Sequence, residues 1–399
     1  MVTILLFIIV LSILVFVHEF GHFLAARSFK MRVYEFALGF PPLAIGVYKD
    51  PKTGKFVIVK GKKKLGKDIL VAGGGKEVTE HAEYPATLYT LNWLPLGGFC
   101  KIKGENGEEK KDNDSFSGQA WWKRVIVLVA GVFMNFILAA ILFSFGFMIG
   151  LPTDVSGGVS KDAILVTDPA VIIQQVEKKS PAEEAHLRFG DIVVSINGEK
   201  MQSSEQMRNY IHSRSSQLLD VTILRSDENK QKQELVVHVT PKVMSGEDKT
   251  PKLGVMLADA AIVKYPWYVS LPKGVETAFY GLVNIFVSLY LLLKGLLFGQ
   301  GLVFEVSGPV GIASVIGQSA KLGIHYLINV MAMISLSLAA MNILPIPALD
   351  GGRVLFILIE KIFRKPVPLK YEQAAHTIGF LFLLVMIVVV TARDVMGLF

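Results

Sequence analysis

The chain has 399 residues, 52% of them hydrophobic, and carries 41 Lys and Arg against 34 Asp and Glu for a net charge of +7. That is too apolar for an ordinary soluble protein and fits a helical membrane bundle with one soluble part. No basic helix or aromatic-spaced basic strand stands out, which argues against nucleic acid as a partner. A single cysteine, Cys100, excludes an intrachain disulfide and a thiolate metal cluster.

Residues 1–27 read as a first transmembrane helix, with Thr3 and Ser12 the only polar side chains before His18. The run lacks a charged n-region and is too long for a signal-peptide core, so it reads as an uncleaved span. Near its end stands His18-Glu19-Phe20-Gly21-His22. Two histidines four apart share one helix face. Neutral imidazoles at that spacing can hold one zinc ion, and the adjacent Glu19 can act as general base on its water. The bland alternative is a chance match or an interfacial helix end. Ionisable groups at membrane depth are costly, and this favours function. At 1.5 Å per residue His18 lies roughly 26 Å along the helix, near the far side of a ~30 Å hydrocarbon core.

Residues 28–124 hold a Lys-rich stretch including Lys60, Lys62, Lys63, Lys64 and Lys67. Positive charge places this segment in the cytoplasm and the N-terminus outside. Strands are expected at Val33–Gly39, Lys55–Lys60 and Leu88–Lys103. Gly73-Gly74-Gly75 reads as a turn, not a phosphate cradle, since no helix with Lys-Ser/Thr follows. Trp121-Trp122-Lys123-Arg124 is an interfacial belt, and 125–150 is the second span, containing Asn135. For Asn135 the expectation is a hydrogen bond to a neighbouring helix.

Residues 151–270 change character and read as a soluble α+β domain. A strand is expected at Val171–Val176, and a helix from Pro181 with Ser180 as N-cap. A strand over Gly190–Gly198 ends in an Asn-Gly turn. A helix near 203–215 and strands near 219–225 and 233–240 follow. The run Ser180–Gly198 resembles the bacterial, circularly permuted PDZ domain, with His186 standing where that family has Gly and a further departure at Phe189.

Residues 275–298 are apolar enough for a span, but parity argues against a crossing. Taking them as amphipathic or re-entrant within 271–325 lets the third span, 326–352, end at the depth of the histidines. That span runs into Asn342, Pro345, Pro347 and Asp350-Gly351-Gly352. Two prolines break the helix where a carboxylate appears, and irregular backbone at that depth is tolerated where it lines a cavity. Asp350 is thus a candidate third zinc ligand. Taken alone, capping of the next helix would be the simpler role; the matched depth favours ligation. Residues 353–374 form a basic cytoplasmic loop, and 375–392 a fourth span that places the C-terminus outside, with His376 at its interfacial start.

HEFGHFLAAR (18–27), FALGF (36–40), PLGGF (95–99), AG...N (130–135), SGPVGI (307–312) and NILPIPALDGG (342–352) together resemble the site-2 protease family of intramembrane zinc metalloproteases. The resemblance covers nearly the whole chain. It implies a polytopic α-helical protein of about four transmembrane helices, with a membrane-associated β-hairpin and one extracytoplasmic PDZ-like domain. It implies Zn2+ held by His18, His22 and Asp350, and Glu19 as catalytic base. Asn342 would hold the unwound substrate backbone, Pro345 and Pro347 would shape the broken helix, and the hairpin with Gly39 and Phe40 would accept substrate as an added strand. The implied setting is the bacterial cytoplasmic (inner) membrane. The implied partners are the lipid bilayer and single-span membrane proteins already cut outside the membrane, such as an anti-sigma factor or signal-peptide remnant. Three features depart from the family: Phe40-Pro41 in place of a further Gly, an insertion at 60–86, and one PDZ-like domain where some relatives have two. A peptide-binding membrane scaffold and a zinc carrier are the competing classes. The filled catalytic positions speak against the first, and the single ligand set speaks against the second.

Overall fold

The computed structural model describes residues 2–60, 84–107, 112–177, 180–214, 217–226, 232–243, 250–298 and 308–396. The 60–86 insertion and its glycine turn lie almost wholly outside the described residues, as does Ser307. Backbone contacts divide the chain into two units. One comprises Met1–Ala140, Glu276–Gly317 and Met331–Phe399; the other comprises Ile141–Val275 and Gln318–Val330.

The first unit is built on helices. It holds α1 (Val2–Ser28), α8 (Asp350–Phe363) and α9 (Leu369–Met396) whole and parts of α2 (Trp121–Ile149), α5 (Trp267–Leu297), α6 (Pro309–Leu322) and α7 (Ile324–Ile343), whose remaining residues fall in the other unit with α3 (Pro181–Glu184) and α4 (Ser204–His212). Five of these, α1, α2, α5, α7 and α9, are long and apolar enough to cross a membrane. Their outward side chains are apolar too: Ile378, Phe382, Val385, Val388 and Val389 of α9 are each at least 60% exposed. An exposed apolar face of this kind fits a helix of a membrane protein.

The directions of three helices follow from residue pairs. His22 meets Val127 and His18 meets Asn135, so α1 and α2 run antiparallel. His325, at the start of α7, meets the Gly150 carbonyl just past the end of α2, and Ser335 donates to the Asn135 carbonyl, so α7 also opposes α2 and runs with α1. Several boundaries differ from expectation. The second span starts earlier, at Trp121, because the Trp-Trp belt continues the helix. Instead of a loop over 353–374, α8 occupies Asp350–Phe363. The 271–325 region holds α6 and most of α5, and α5 is one unbroken helix of 31 residues beginning at Trp267. Parity counts crossings and says nothing about helix length, so that continuity was not visible to it.

Against α1 lies a sheet of β1 (Val33–Lys49), β2 (Phe56–Lys60) and β3 (Leu88–Ile102). The long strands interleave. The first half of β1 pairs with Leu88–Leu91 and with Gly98–Ile102 of β3, while its second half pairs with Tyr89–Asn92 and with β2. Among the described residues Gly98–Ile102 is therefore an edge of the sheet opposite β2. Met31, Val33, Phe36, Cys100 and Ile102 pack with Phe23 and Ala26 of α1, Phe116, and Val127 and Leu128 of α2 into a buried cluster.

The second unit holds β4 (Leu151–Asp154), β5 (Ile164–Leu165), β6 (Ala170–Val176), α3 (Pro181–Glu184), β7 (Ile192–Ile196), β8 (Glu199–Lys200), α4 (Ser204–His212), β9 (Leu219–Ser226), β10 (Lys232–Val239), β11 (Lys242–Val243), β12 (Pro251–Lys252) and β13 (Val255–Lys264). The strand order is β10-β9-β7-β6-β13-β4, with β5 on β13 and β8 on β7. Ser180 and Ser203 cap α3 and α4 by accepting from Glu183 N–H and Gln206 N–H. Asn197 and Gly198 both adopt positive φ, as a two-residue hairpin requires. His186, at φ 58, occupies the left-handed position where a glycine would fit without strain. Val171, Ile173, Ile196, Met207, Leu219, Val221 and Ile223 form the fully buried core. Beside it, buried Asp191 accepts from Arg225 Nε and Nη2, each at 2.7 Å, and this hydrogen-bonded pairing raises the guanidinium pKa.

Candidate metal centre

His18 and His22 lie on one face of α1, turned toward α2, and both are buried. Their Nε2 atoms are 3.2 Å apart. Asp350 opens α8, and its Oδ2 lies 3.1 Å from His18 Nε2 and 3.3 Å from His22 Nε2. Four ligands about 2.0–2.1 Å from a zinc ion in a tetrahedron stand about 3.3 Å from one another. The three atoms thus mark one face of such a tetrahedron and leave its fourth corner free. Among the described residues this is the one group of three His, Cys, Asp or Glu side chains close enough to share an ion. The donor set, two imidazoles and a carboxylate with one open corner, fits a catalytic zinc site.

The local backbone explains how these atoms meet. The helical spacing of four supplies the two histidines. Asp350 arrives through the break after Ile343, where Pro345 and Pro347 interrupt helical hydrogen bonding and Ala348 takes φ +81. The cap of α8 is Leu349, with no side-chain cap bond, so the Asp350 carboxylate is not spent on capping. Gly351 and Gly352 let the first turn of α8 lie on the broken end. A Cβ at either would sit 2.2–2.3 Å from the carbonyl oxygens of Leu344 or Ile346.

Room for the two rings comes from α2. A Cβ on Gly131 would stand 2.4 Å from His22 Nε2 and 2.8 Å from His18 Cε1. His22 Nδ1 donates to the Val127 carbonyl at 2.8 Å, which leaves its Nε2 lone pair for a metal.

Glu19 lines a cavity of about 420 Å³ together with His22, Asp350, His376 and the sheet edge from Phe99 to Ile102. Glu105 and Arg353 form an ion pair at its rim. They are shared with a second cavity of about 580 Å³ lined by Arg124, Lys361, Arg364 and Lys365. Gly39, Phe40, Asn342, Pro345 and Pro347 do not line the metal-side cavity. Gly39 sits in β1 at φ +83 with its carbonyl bonded by Asn92, and Phe40 stacks on Phe99 beside the sheet edge. Asn342 is half-buried in the last turn of α7. His376, expected at an interface, instead accepts from Ala348 N–H at 2.8 Å and faces the cavity. That contact was not legible because α9 starts at Leu369, six residues before the expected start at 375, which sets His376 two turns inside the helix.

The description "Peptidase family M50" matches residues 6–60 and 64–386. A Clostridium perfringens protein named as a candidate zinc metalloprotease is 31% identical over 385 residues, 96% of each chain. The regulator of sigma-W protease RasP of Bacillus subtilis is 30% identical, covering 100% of this chain and 99% of its own. Zinc metalloprotease RasP of Bacillus licheniformis is 29% identical over the same shares. Among solved structures, the PDZ domain of an SdrC-like protein from Listeria monocytogenes covers 24% of this chain and 93% of its own, at 24% identity and a TM-score of 0.20. With family and relatives matching along almost the whole length, the chain belongs to peptidase family M50 and is a zinc metalloendopeptidase.

Proposed function

We propose that this protein hydrolyses a peptide bond inside the transmembrane segment of another membrane protein. The observation that carries this is the convergence within 3.3 Å of Asp350 with His18 and His22, two residues of a helix long and apolar enough to cross a bilayer. His18, His22 and Asp350 hold Zn2+. When bound there, zinc supplies a Lewis acid for the scissile carbonyl and brings the pKa of water down toward ~7. The Glu19 carboxylate accepts the proton from water and passes it to the leaving nitrogen.

A helical peptide bond is shielded by its own hydrogen bonds, so the substrate must unwind. The outer segment Gly98–Ile102 of β3, whose Phe99–Ile102 line the cavity, is where a substrate strand would add to the sheet. Gly39 and Phe40 shape the bend beside it, Asn342 holds the extended backbone, and Pro345 and Pro347 maintain the break that presents Asp350.

The parallel course of α1 and α7, both opposed to α2, supports an even number of crossings between α2 and α7. On this reading α5, despite its length, adds no net crossing. Four net spans then put both termini and the PDZ-like domain outside and the metal near the cytoplasmic side. The protein sits in the bacterial cytoplasmic membrane and acts on single-span proteins after a first cut outside. The name of the Bacillus subtilis relative, a regulator of sigma-W, points to anti-sigma factors as the substrate class.

Removal of metal tests the reading. Purified protein with a single-span substrate should lose cleavage on chelation and regain it with stoichiometric zinc. Cleavage that persists in the chelated protein would overturn it.

A further inference from the structure

The two histidines are not held alike. His22 Nδ1 faces a backbone carbonyl, a group that can only accept, so its proton position is fixed. His18 Nδ1 faces instead the side chain of Asn135, at 3.3 Å. Asn135 is fully buried, and the other end of its carboxamide, placed as Oδ1, has no hydrogen-bond partner. The two ends of a carboxamide are nearly the same size, so either can face the ring, and the hydrogen bonds each end can make decide between them. With nitrogen toward His18, ring Nδ1 must accept and Nε2 carries the proton, which suits the bond to Asp350 and blocks Nε2 from a cation. With oxygen toward His18, Nδ1–H donates to Oδ1 and the Nε2 lone pair points where Asp350 Oδ2 and His22 Nε2 converge. Only this second state gives three lone pairs to one ion.

We propose that Asn135 is a positioning residue for the metal centre. Its side-chain oxygen accepts from His18 Nδ1–H and fixes the tautomer that ligates, doing for His18 what the Val127 carbonyl does for His22. Its own placement is tied down by α7, where buried Ser335 donates to the Asn135 carbonyl at 2.8 Å. The same residue therefore links α7, whose continuation carries Asp350, to the histidine that Asp350 faces. Metal-ligating histidines commonly donate their other ring N–H to such an acceptor, and loss of it costs roughly 10–100-fold in metal affinity.

This inference rests on the zinc reading above, and the two separate experimentally. Zinc affinity of the full chain in detergent is measured by competition with a chelator of known affinity, with no substrate present. The wild type and His18→Ala establish whether the site binds zinc at all. If the wild type binds, Asn135→Leu, similar in shape and without an acceptor, should weaken binding roughly 10–100-fold. Asn135→Asp, which keeps an acceptor at the same place, should bind as well as the wild type or more tightly. A merely structural Asn135 would not distinguish the two variants in this way. Affinity of Asn135→Leu within twofold of the wild type would overturn the proposal. So would an Asp variant weakened as much as the Leu variant. Should Asn135→Leu fail to fold, Asn135→Ala and Asn135→Asp make the same comparison.

Discussion

At the scale of single residues, the site depends as much on what is small as on what ligates. Gly131 leaves the space that both imidazoles fill. Gly131→Ala would place a Cβ 2.4 Å from His22 Nε2. The backbone of α2 cannot retreat easily from so close a packing, so the rings must turn. We expect zinc affinity to fall by roughly the 10–100-fold seen when ligand orientation is lost, and zinc content after dialysis reads it directly. Full occupancy in that variant would mean the rings have slack that the packing does not show. The sequence made both histidines and Glu19 legible because helical spacing is local. Asp350 was legible for a different reason: two prolines and a carboxylate together signal broken backbone lining a cavity. Asn135 was legible only as an amide bound to a neighbouring helix, and its side chain does meet α1; that the partner would be a metal ligand was not. A lone amide in a span has many uses, and its partner His18 is 117 residues away in the chain.

At the scale of elements, the strand positions were readable from alternation and turn residues, but their pairing was not. The interleaving of β1 with β3 depends on register over long loops, and nothing local in the sequence sets it. The sheet of the second unit follows its sequence more closely, because caps at Ser180 and Ser203 and the Asn197-Gly198 turn each fix one boundary. Its least replaceable polar contact is the Asp191–Arg225 pair. Asp191 is 1% exposed, and removing Arg225 leaves a buried carboxylate with no counter-charge and only the Arg188 N–H to accept from. Arg225→Leu should destabilise this unit by about 3–5 kcal/mol, visible as faster hydrogen exchange across β7 and β9. Replacing both residues together should cost less than replacing Arg225 alone, since no unpaired charge then remains. Equal costs would assign the stability to packing of the arginine stem.

At the scale of the whole molecule, the account makes a claim about sides. Lys200, in the hairpin of the sheet unit, and Lys365, after α8, are both exposed. Each replaced by Cys, against the buried native Cys100, should label differently in intact cells. A membrane-impermeant maleimide should reach Lys200→Cys at once and Lys365→Cys only after permeabilisation. Labelling of both from outside would break the parity on which the spans rest. The length of α5 is the part of the architecture that sequence parity left open, because an apolar helix of 31 residues satisfies composition whether or not it adds a net crossing. The central claim is cleavage within a span by a zinc centre served by Glu19. It is tested most directly by reconstituting wild type and Glu19→Gln with a single-span reporter in liposomes and measuring fragment masses. The account predicts that both proteins retain zinc, that the wild type cuts between residues of the reporter's apolar segment, and that Glu19→Gln leaves the reporter whole. Fragments ending in the flanking soluble residues, or equal cutting by Glu19→Gln, would contradict it.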